Sequence, residues 1–465
     1  MDIEKIKKNV ACFLKKNAMA PENIDIDKSC NLFIEEMQKG LAGQNSSLEM
    51  IPTYIEVGKE VPINQPVIVI DAGGANFRVA TVYFNNEKNP VIENFNKYPM
   101  PGTKGKLSTQ EFFNMMAGYL KDVVEKSSNI GFCFSYAIEM FPNKDGKVIR
   151  LAKEVEVEGV KGQMIGENLI KAIKTSGHKG SYRVVVLNDT VTALLAGISS
   201  FPDRTFDSYV GFILGAGTNT CYVEQNKNIK KTLVRRSESE GGKGLDPTKS
   251  QIINIESGGF AKGPMGTIDL QFDQSTINPG QGTFEKMISG AYFGPLCLRT
   301  IHAAADDGLF SNSIAGKLKK ITKIETKDAN DFLYHPIGRT NPLSAVFDAR
   351  SEQPVLSRLV PSEVEGVEGD MVTLYYLLDT LAERAAKLVA IKLASATIKS
   401  GKGRNPCRPV CIVAEGTVFY QLKSLKQRVE CYLKKYLEDE KGIYYEIVNV
   451  ENATLIGAAI AGLTN

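Results

Sequence analysis

Two stretches about 140 residues apart carry one pattern, and that repeat limits the folds open to the chain. Val69-Ile70-Asp71-Ala72-Gly73-Gly74-Ala75-Asn76-Phe77-Arg78-Val79 reads as an apolar strand, a glycine turn with a small residue and an asparagine, then a returning strand. Ile213-Leu214-Gly215-Ala216-Gly217-Thr218-Asn219-Thr220-Cys221-Tyr222-Val223 repeats it. One glycine hairpin alone is only turn chemistry. Two copies at domain-sized separation predict a duplicated fold in which each half presents a backbone loop to a shared cleft.

The surrounding pattern is α/β. Ile130 to Ser135 and Arg183 to Leu187 read as buried strands, as do Pro409 to Val413 and a stretch near Ile443 to Val448. Helices are expected over about Lys28 to Leu41, Thr109 to Lys126, Thr190 to Gly197, Val372 to Ile398 and Ala453 to Leu463. At the start, Ile3, Ile6, Val10 and Phe13 recur at helical spacing among lysines, which predicts a docking helix with a solvated basic face. A membrane-surface helix is the other reading of that pattern.

Composition removes several function classes. Hydrophobic residues at 43% and charged residues at 23% are the balance of a folded globular chain. Fifty-six basic against 53 acidic residues give +3, too near neutral for a nucleic-acid footprint. No apolar stretch approaches the ~18 residues of a membrane span, and no secretory signal core is visible, so a cytoplasmic location is expected. The eight cysteines are thinly spread and there are only three histidines, His178, His302 and His335. We therefore expect reduced core thiols rather than a zinc site, and no histidine general base.

The chemistry lies at the loops. Glycine loops between strands allow phosphate oxygens close to backbone N–H groups. No Walker-type lysine loop is present, and Gly215-Ala216-Gly217 enters a strand rather than a helix, which rejects a dinucleotide fingerprint. Two hairpin loops suit a nucleoside triphosphate gripped from both sides. Asp71, at the first loop, is placed to hold Mg2+ through water. Asn188-Asp189-Thr190 lies where a strand gives way to a helix. Capping by Asp189, at about 1 kcal/mol, accounts for that tripeptide alone; the functional reading is a carboxylate taking a proton from an alcohol that attacks phosphorus. Glu256 and Glu285 each lie beside glycine and aromatic residues rather than in a charge run. A surface salt bridge explains either alone, whereas two carboxylates in one cleft suit a polyol.

Taken in order, the motifs resemble the hexokinase family of the actin-like ATPase superfamily. The likeness begins at Gly40-Leu41 and Ser46 to Tyr54, and runs through Asp71 to Val79, Asn188 to Val191, Gly215 to Asn219 and Asn254 to Glu256. Phe284 to Gly290, Arg384 to Leu388, Ala414 to Thr417 and Gly457 to Ala459 complete it. The resemblance implies two ribonuclease-H-like domains flanking a deep cleft: a small one of 66–190 plus 449–465, and a large one of 1–65 plus 191–448. It implies Asp189 as catalytic base for a sugar 6-hydroxyl, with Lys153 and Arg78 also catalytic. Asn188, Asn219, Glu256 and Glu285 are the implied sugar ligands, with Ser135 nearby and Lys153 on a loop closing over the sugar. Asp71, Gly73, Gly74, Ala75, Asn76 and Arg78 match the first phosphate motif, Gly215, Ala216, Gly217 and Thr218 the second, and Gly416 and Thr417 the adenosine motif.

This chain departs from the family pattern in several places. Leu151-Ala152 stands where Trp-Thr is usual, Ser257 replaces Trp, Ala216 replaces Thr and Glu415 replaces Asp. Tyr136-Ala137 replaces Phe-Pro, and Thr192-Ala193 replaces Gly-Thr. Each lost hydrogen bond costs about 0.5–1.5 kcal/mol. The expected activity is phosphoryl transfer from ATP with Mg2+ to a hexose, glucose first. The alternatives are a kinase for another hexose, and a weakly catalytic sugar sensor acting through a partner.

Overall fold

The computed structural model describes residues 1–151, 155–201, 203–231, 245–337, 341–347 and 361–465. Lys153 and Ala152, and the Gly241 to Gly244 stretch singled out in the sequence for its glycines, lie outside the described residues. Two sheets carry the fold. In the first, the strands lie in the order Arg183–Leu187, Asn129–Phe134, Val67–Gly73, Asn76–Phe84 and Pro90–Pro99. The first three are parallel, and the last two follow as antiparallel neighbours. The second sheet repeats that order with Tyr445–Val448, Val410–Glu415, Ser208–Leu214, Thr218–Gln225 and Ser250–Asn254, and adds Ile51–Glu56 at its edge. Parallel and antiparallel pairings fall at the same places. Both glycine turns join a central strand to its antiparallel neighbour, so the repeat in the sequence is a repeat of the sheet.

The central strand of the first sheet shows why its residues do not alternate. Val67 and Val69 pack with Val185, Leu187 and the Ala453–Thr464 helix, while Ile68 and Ile70 pack with Phe112, Phe132 and Ile165 on the other face. Both faces are covered, so both must be apolar. Each such side chain contributes roughly 1.5–3 kcal/mol on burial.

Two helices fill the space between the sheets. The Ala453–Thr464 helix packs on the first sheet and on the Asp189–Ser199 helix, which packs in turn on the second. Glycine sets the spacing. A Cβ on Gly457 would stand 1.9 Å from the Thr192 carbonyl oxygen, and one on Gly131 would stand 1.8 Å from that of Ala458. Behind the second sheet run the Ile3–Lys16, Ile26–Ala42, Pro361–Lys399 and Leu425–Leu433 helices. Arg384, on the long helix, is buried and forks onto Asp269 at 2.5 and 3.2 Å. Its motif is therefore a structural pair. Breaking a buried pair by removing one partner costs about 3–5 kcal/mol.

Several expectations need correcting. The helix from Thr109 stops at Tyr119, and residues 120–126 continue as tight turns in which Val123 and Val124 both donate to the Leu120 carbonyl. Leu120, Val123 and Val124 are all buried, so the apolar spacing there records tight turns and not a longer helix. The long helix begins at Pro361 rather than Val372, because its charged first turns carry no apolar periodicity. All eight cysteines are free, but Cys12, Cys407 and Cys431 are exposed and only the other five are core residues. The N-terminal helix docks as expected: Val10, Phe13 and Leu14 enter the core while Ile3 remains exposed. Among the described residues no helix is long and apolar enough to cross a membrane.

Gly131→Ala is expected to lose about 3 kcal/mol of stability, because a methyl there meets backbone that cannot rotate away. Equilibrium urea unfolding reads the loss, and a midpoint equal to the parent's would contradict the close approach.

Candidate active site

Strand register brings the acidic residues to one edge. Asp71 and Leu187 both pair with Cys133, so Asp71 and the following Asn188-Asp189 leave the first sheet at the same level. The second sheet answers with its own edge. Ile213 pairs with both Asn219 and Glu415, which puts the Gly215 loop, Asn219 and Gly416 together. Cys221 pairs with Asn254, so Asn219 and Glu256, each two residues beyond that pair, are neighbours.

Asn188, and not Asp189, is the N-cap of the 189–199 helix; its Oδ1 accepts from Thr190 N at 2.9 Å and Thr190 Oγ1 at 2.5 Å. That correction leaves Asp189 as the first helical residue, with Oδ1 on the same Thr190 N–H at 2.8 Å. Asn219 is the hub. Its Nδ2 donates to Asn254 Oδ1 at 2.7 Å and Glu256 Oε1 at 3.1 Å, and lies 3.5 Å from Asn188 Oδ1. Its Oδ1 accepts from the Thr220 and Ser257 N–H groups. Asn254 Nδ2 also donates to Glu256 Oε1, at 2.7 Å.

Glu256 adopts left-handed backbone angles, φ 55° and ψ 50°, unusual for a residue with a long side chain. Glu285, on the short Thr283–Ile288 helix, accepts from Thr218 N at 2.9 Å. Among the described residues neither glutamate makes a salt bridge, which disposes of the surface-pair reading.

Each of these carboxyls is pushed upward, and burial is the leading cause. Asp189 rises to about 6, opposed by the Thr190 N–H and helped by the Asp71 charge. Glu256 rises to about 7 despite its Asn254 bond, with the Glu49, Asp189 and Glu285 charges adding. Glu285 also rises, opposed by the Thr218 N–H and by Lys392. Such groups need hydroxyl donors more than they need further charge.

The phosphate-loop residues have their own logic. At the first tip, the Gly74 carbonyl accepts from the Tyr136 hydroxyl at 2.9 Å and that of Ala75 from Met100 N at 2.9 Å. At the second, Gly215 O accepts from Gly290 N at 2.8 Å and Ala216 O from Ala291 N at 3.0 Å. With the carbonyls tied back, an anion at either tip meets N–H groups. Gly416 closes against the second loop with φ +110°, where a Cβ would stand 2.3 Å from the Leu214 carbonyl oxygen. Thr417, next to it, is exposed.

Asp71 is buried, and both its bonds fall on Oδ2: Arg78 Nη1 at 2.7 Å and Thr454 Oγ1 at 3.2 Å. Among the described residues Oδ1 takes no protein donor, and no cluster of three metal-ligating side chains occurs. One free carboxylate oxygen fits a cation that keeps most of its water. Gly73 and Asn76 pair across the first turn, and Ser135 packs against Gly73, its N–H on the Ala72 carbonyl.

The sequence-predicted residues therefore fall into three groups at one cleft: Asn188, Asp189, Asn219, Glu256 and Glu285; Asp71, Gly73 to Asn76, Arg78 and Ser135; and Gly215 to Thr218 with Gly416 and Thr417. Asn254 and Thr190 stand in motifs that give neither of them a role, while Thr454 and Lys392 fall in none of the motifs. Lys392 left a signal, a lone cation inside Leu388-Val389-Ala390-Ile391-Lys392-Leu393-Ala394. Thr454 left none, being 383 residues from Asp71.

Residues 209–464 match a family model described as hexokinase, and residues 13–199 match a second hexokinase model. The chain belongs to the hexokinase family. It is 28% identical over 425 residues to hexokinase-1 of Pongo abelii, covering 88% of this chain and 43% of that one. It is 27% identical over 465 residues to a hexokinase-like 1 protein of Arabidopsis thaliana, covering 94% and 87%. The chain thus spans less than half the length of the first relative. Its structure is similar to that of a hexokinase from Schistosoma mansoni complexed with glucose, with TM-score 0.73 and 23% identity over 99% of this chain and 100% of that one. At that identity the likeness is one of fold.

Because burial raises Asp189, its charge destabilises the fold above the unfolded carboxyl range, and that cost grows as pH climbs toward about 6 and then levels off. Asp189→Asn is therefore expected to melt higher than the parent at pH 8, with the gap closing by pH 4. Calorimetric melts across that range check the sign.

Proposed function

We propose that this chain is a sugar kinase that moves the γ-phosphoryl group of Mg-ATP to the 6-hydroxyl of a hexose, glucose first. The observation that carries the reading is the half-buried Asp189 carboxyl, raised to about 6, standing beside the Asn188, Asn219 and Glu256 cluster at the edge that Asp71 shares. The glucose in the Schistosoma mansoni hexokinase complex supports the substrate class. ATP with Mg2+ would supply the phosphoryl group and its charge neutralisation when bound. Asp71 Oδ1 is the oxygen left to hold the hydrated cation, and the two glycine loops offer N–H groups to phosphate oxygens.

The rest of the work falls to the chain's own groups. Asn188 has its amide oxygen committed to Thr190, so its amide nitrogen is the end left for a sugar oxygen. Glu256 and Glu285 accept sugar hydroxyls. Asp189 accepts the proton of the 6-hydroxyl and orients that oxygen, while the larger catalytic effect is electrostatic. A carboxyl near 6 is ionised at neutral pH yet basic enough to take the proton. Crossings between the sheets near residues 66, 190 and 448 serve as hinges for closure, which excludes the water that otherwise intercepts the phosphoryl group. Lys153, which the family resemblance assigns to a loop closing over the sugar, and Arg78 complete the catalytic set in this reading.

Coupled ADP release with a panel of hexoses tests it. Turnover is expected to fall on the acid side with a midpoint near 6. Asp189→Ala should lose about 10²–10⁴-fold in kcat while keeping part of its sugar binding. Near-parental turnover in that variant removes Asp189 from the mechanism, and binding without turnover in the parent favours the sensor.

A further inference from the structure

Lys392 stands between Ile391 and Leu393 on the Pro361–Lys399 helix and is fully buried. Its Nζ donates to Thr218 Oγ1 at 2.5 Å, and that hydroxyl donates onward to Ile213 O at 2.9 Å. The same Thr218 gives its backbone N–H to Glu285 Oε2 at 2.9 Å. One residue of the second glycine loop therefore links a buried ammonium to a half-buried carboxylate. The Phe212 ring lies 5.2 Å from Nζ on the sheet side.

The other charges nearby do not replace this cation. Lys286 neighbours Glu285 on its own helix, but its Nζ is taken by Asp273 Oδ1, Thr276 Oγ1 and Asn278 O at 2.6–2.8 Å. Arg150 is exposed, so solvent screens its charge at Glu285, and Tyr292 adds no charge at neutral pH. Glu256 is the other acid facing Lys392. A buried ammonium without compensation is strongly disfavoured, and under this loop the compensation comes from the Thr218 hydroxyl and the nearby Glu285 and Glu256 charges.

We propose that Lys392 is a positioning residue for sugar binding: its ammonium anchors Thr218 and holds the neighbouring Glu285 carboxylate ionised as a hydroxyl acceptor. This rests on the sugar-kinase reading above. Burial pushes Glu285 up and Lys392 opposes it; burial pushes Lys392 down to about 7, with Glu285 and then Glu256 opposing. Without the cation Glu285 protonates at higher pH, and a protonated carboxyl accepts fewer hydroxyls.

Calorimetric titration of the full chain with D-glucose at pH 6 and pH 8, parent against Lys392→Met, reads the effect without needing turnover. The expected result is a glucose Kd weakened by about tenfold or more at pH 6 and by clearly less at pH 8. An unchanged Kd at both pH values overturns the inference, as does a weakening equal at both, which only a structural role predicts. If Lys392→Met does not fold, Thr218→Val carries the test, since it removes the anchoring hydroxyl and keeps the backbone N–H. Its glucose Kd should weaken in the same direction, and an unchanged value overturns the proposal. The coupled assay on the parent keeps the two readings apart. Glucose binding without ADP release sinks the kinase and leaves the Lys392 result standing, whereas a parent that binds no hexose of the panel sinks both.

Discussion

The Asp189–Ser199 helix is held on one side by the Ala453–Thr464 helix and on the other by the second sheet, and this clamp sets where its N-terminus points. The packing is tight enough to need glycine at contact points from three elements: Gly457 under Thr192, Gly211 under Thr190 and Gly197 against Val413. Because the clamp includes the chain's C-terminal helix, it joins residues from opposite ends of the sequence. The same helix delivers Thr454 to Asp71. Placement of the proposed base and of the proposed cation-holding carboxylate thus depends on one packed layer between the sheets.

That layer leaves several carboxyl groups in surroundings that disfavour charge. Burial raises Asp189, Glu256 and Glu285 together; the Asp71 charge adds to it at Asp189, and the Asp189 and Glu285 charges add to it at Glu256. What opposes the rise is a set of short bonds from fixed donors: the Thr190 and Thr218 N–H groups and the Asn254 amide. A site built this way is poised to gain from a ligand rich in hydroxyl groups. Glu256 takes part in this set from left-handed backbone angles, a conformation that costs on the order of 1–3 kcal/mol for a residue with a side chain.

The departures from the family pattern are partly offset within the structure. Tyr136 carries the hydroxyl that ties back the Gly74 carbonyl. Thr192 places its own hydroxyl on the Asp189 carbonyl at 2.6 Å, and Ser257 bonds Thr220 at 3.2 Å. Ala216 has no such replacement at its side chain, so the second loop relies on backbone bonds and on Thr218, whose hydroxyl Lys392 engages. Glu415, longer than the usual aspartate, is pushed up to about 7 by burial and meets Asn449 at 3.3 Å.

Sequence alone determined the local elements and the duplication, because β-branched runs, glycine turns and capping residues act over a few positions. The strand Arg183–Leu187 and both glycine hairpins were legible for that reason, and Asp71, Asp189, Asn219, Glu256 and Glu285 could be named from motif order. What only the tertiary structure decided was which groups far apart in the chain share a hydrogen bond. Thr454 on Asp71, Lys392 on Thr218 and the Asn219 hub join residues that are distant along the chain, and strand register with helix packing sets those contacts. The apolar spacing past Tyr119 misled for the same reason: burial rewards an apolar residue equally in a helix or in a tight turn, and only the surrounding packing selects between them.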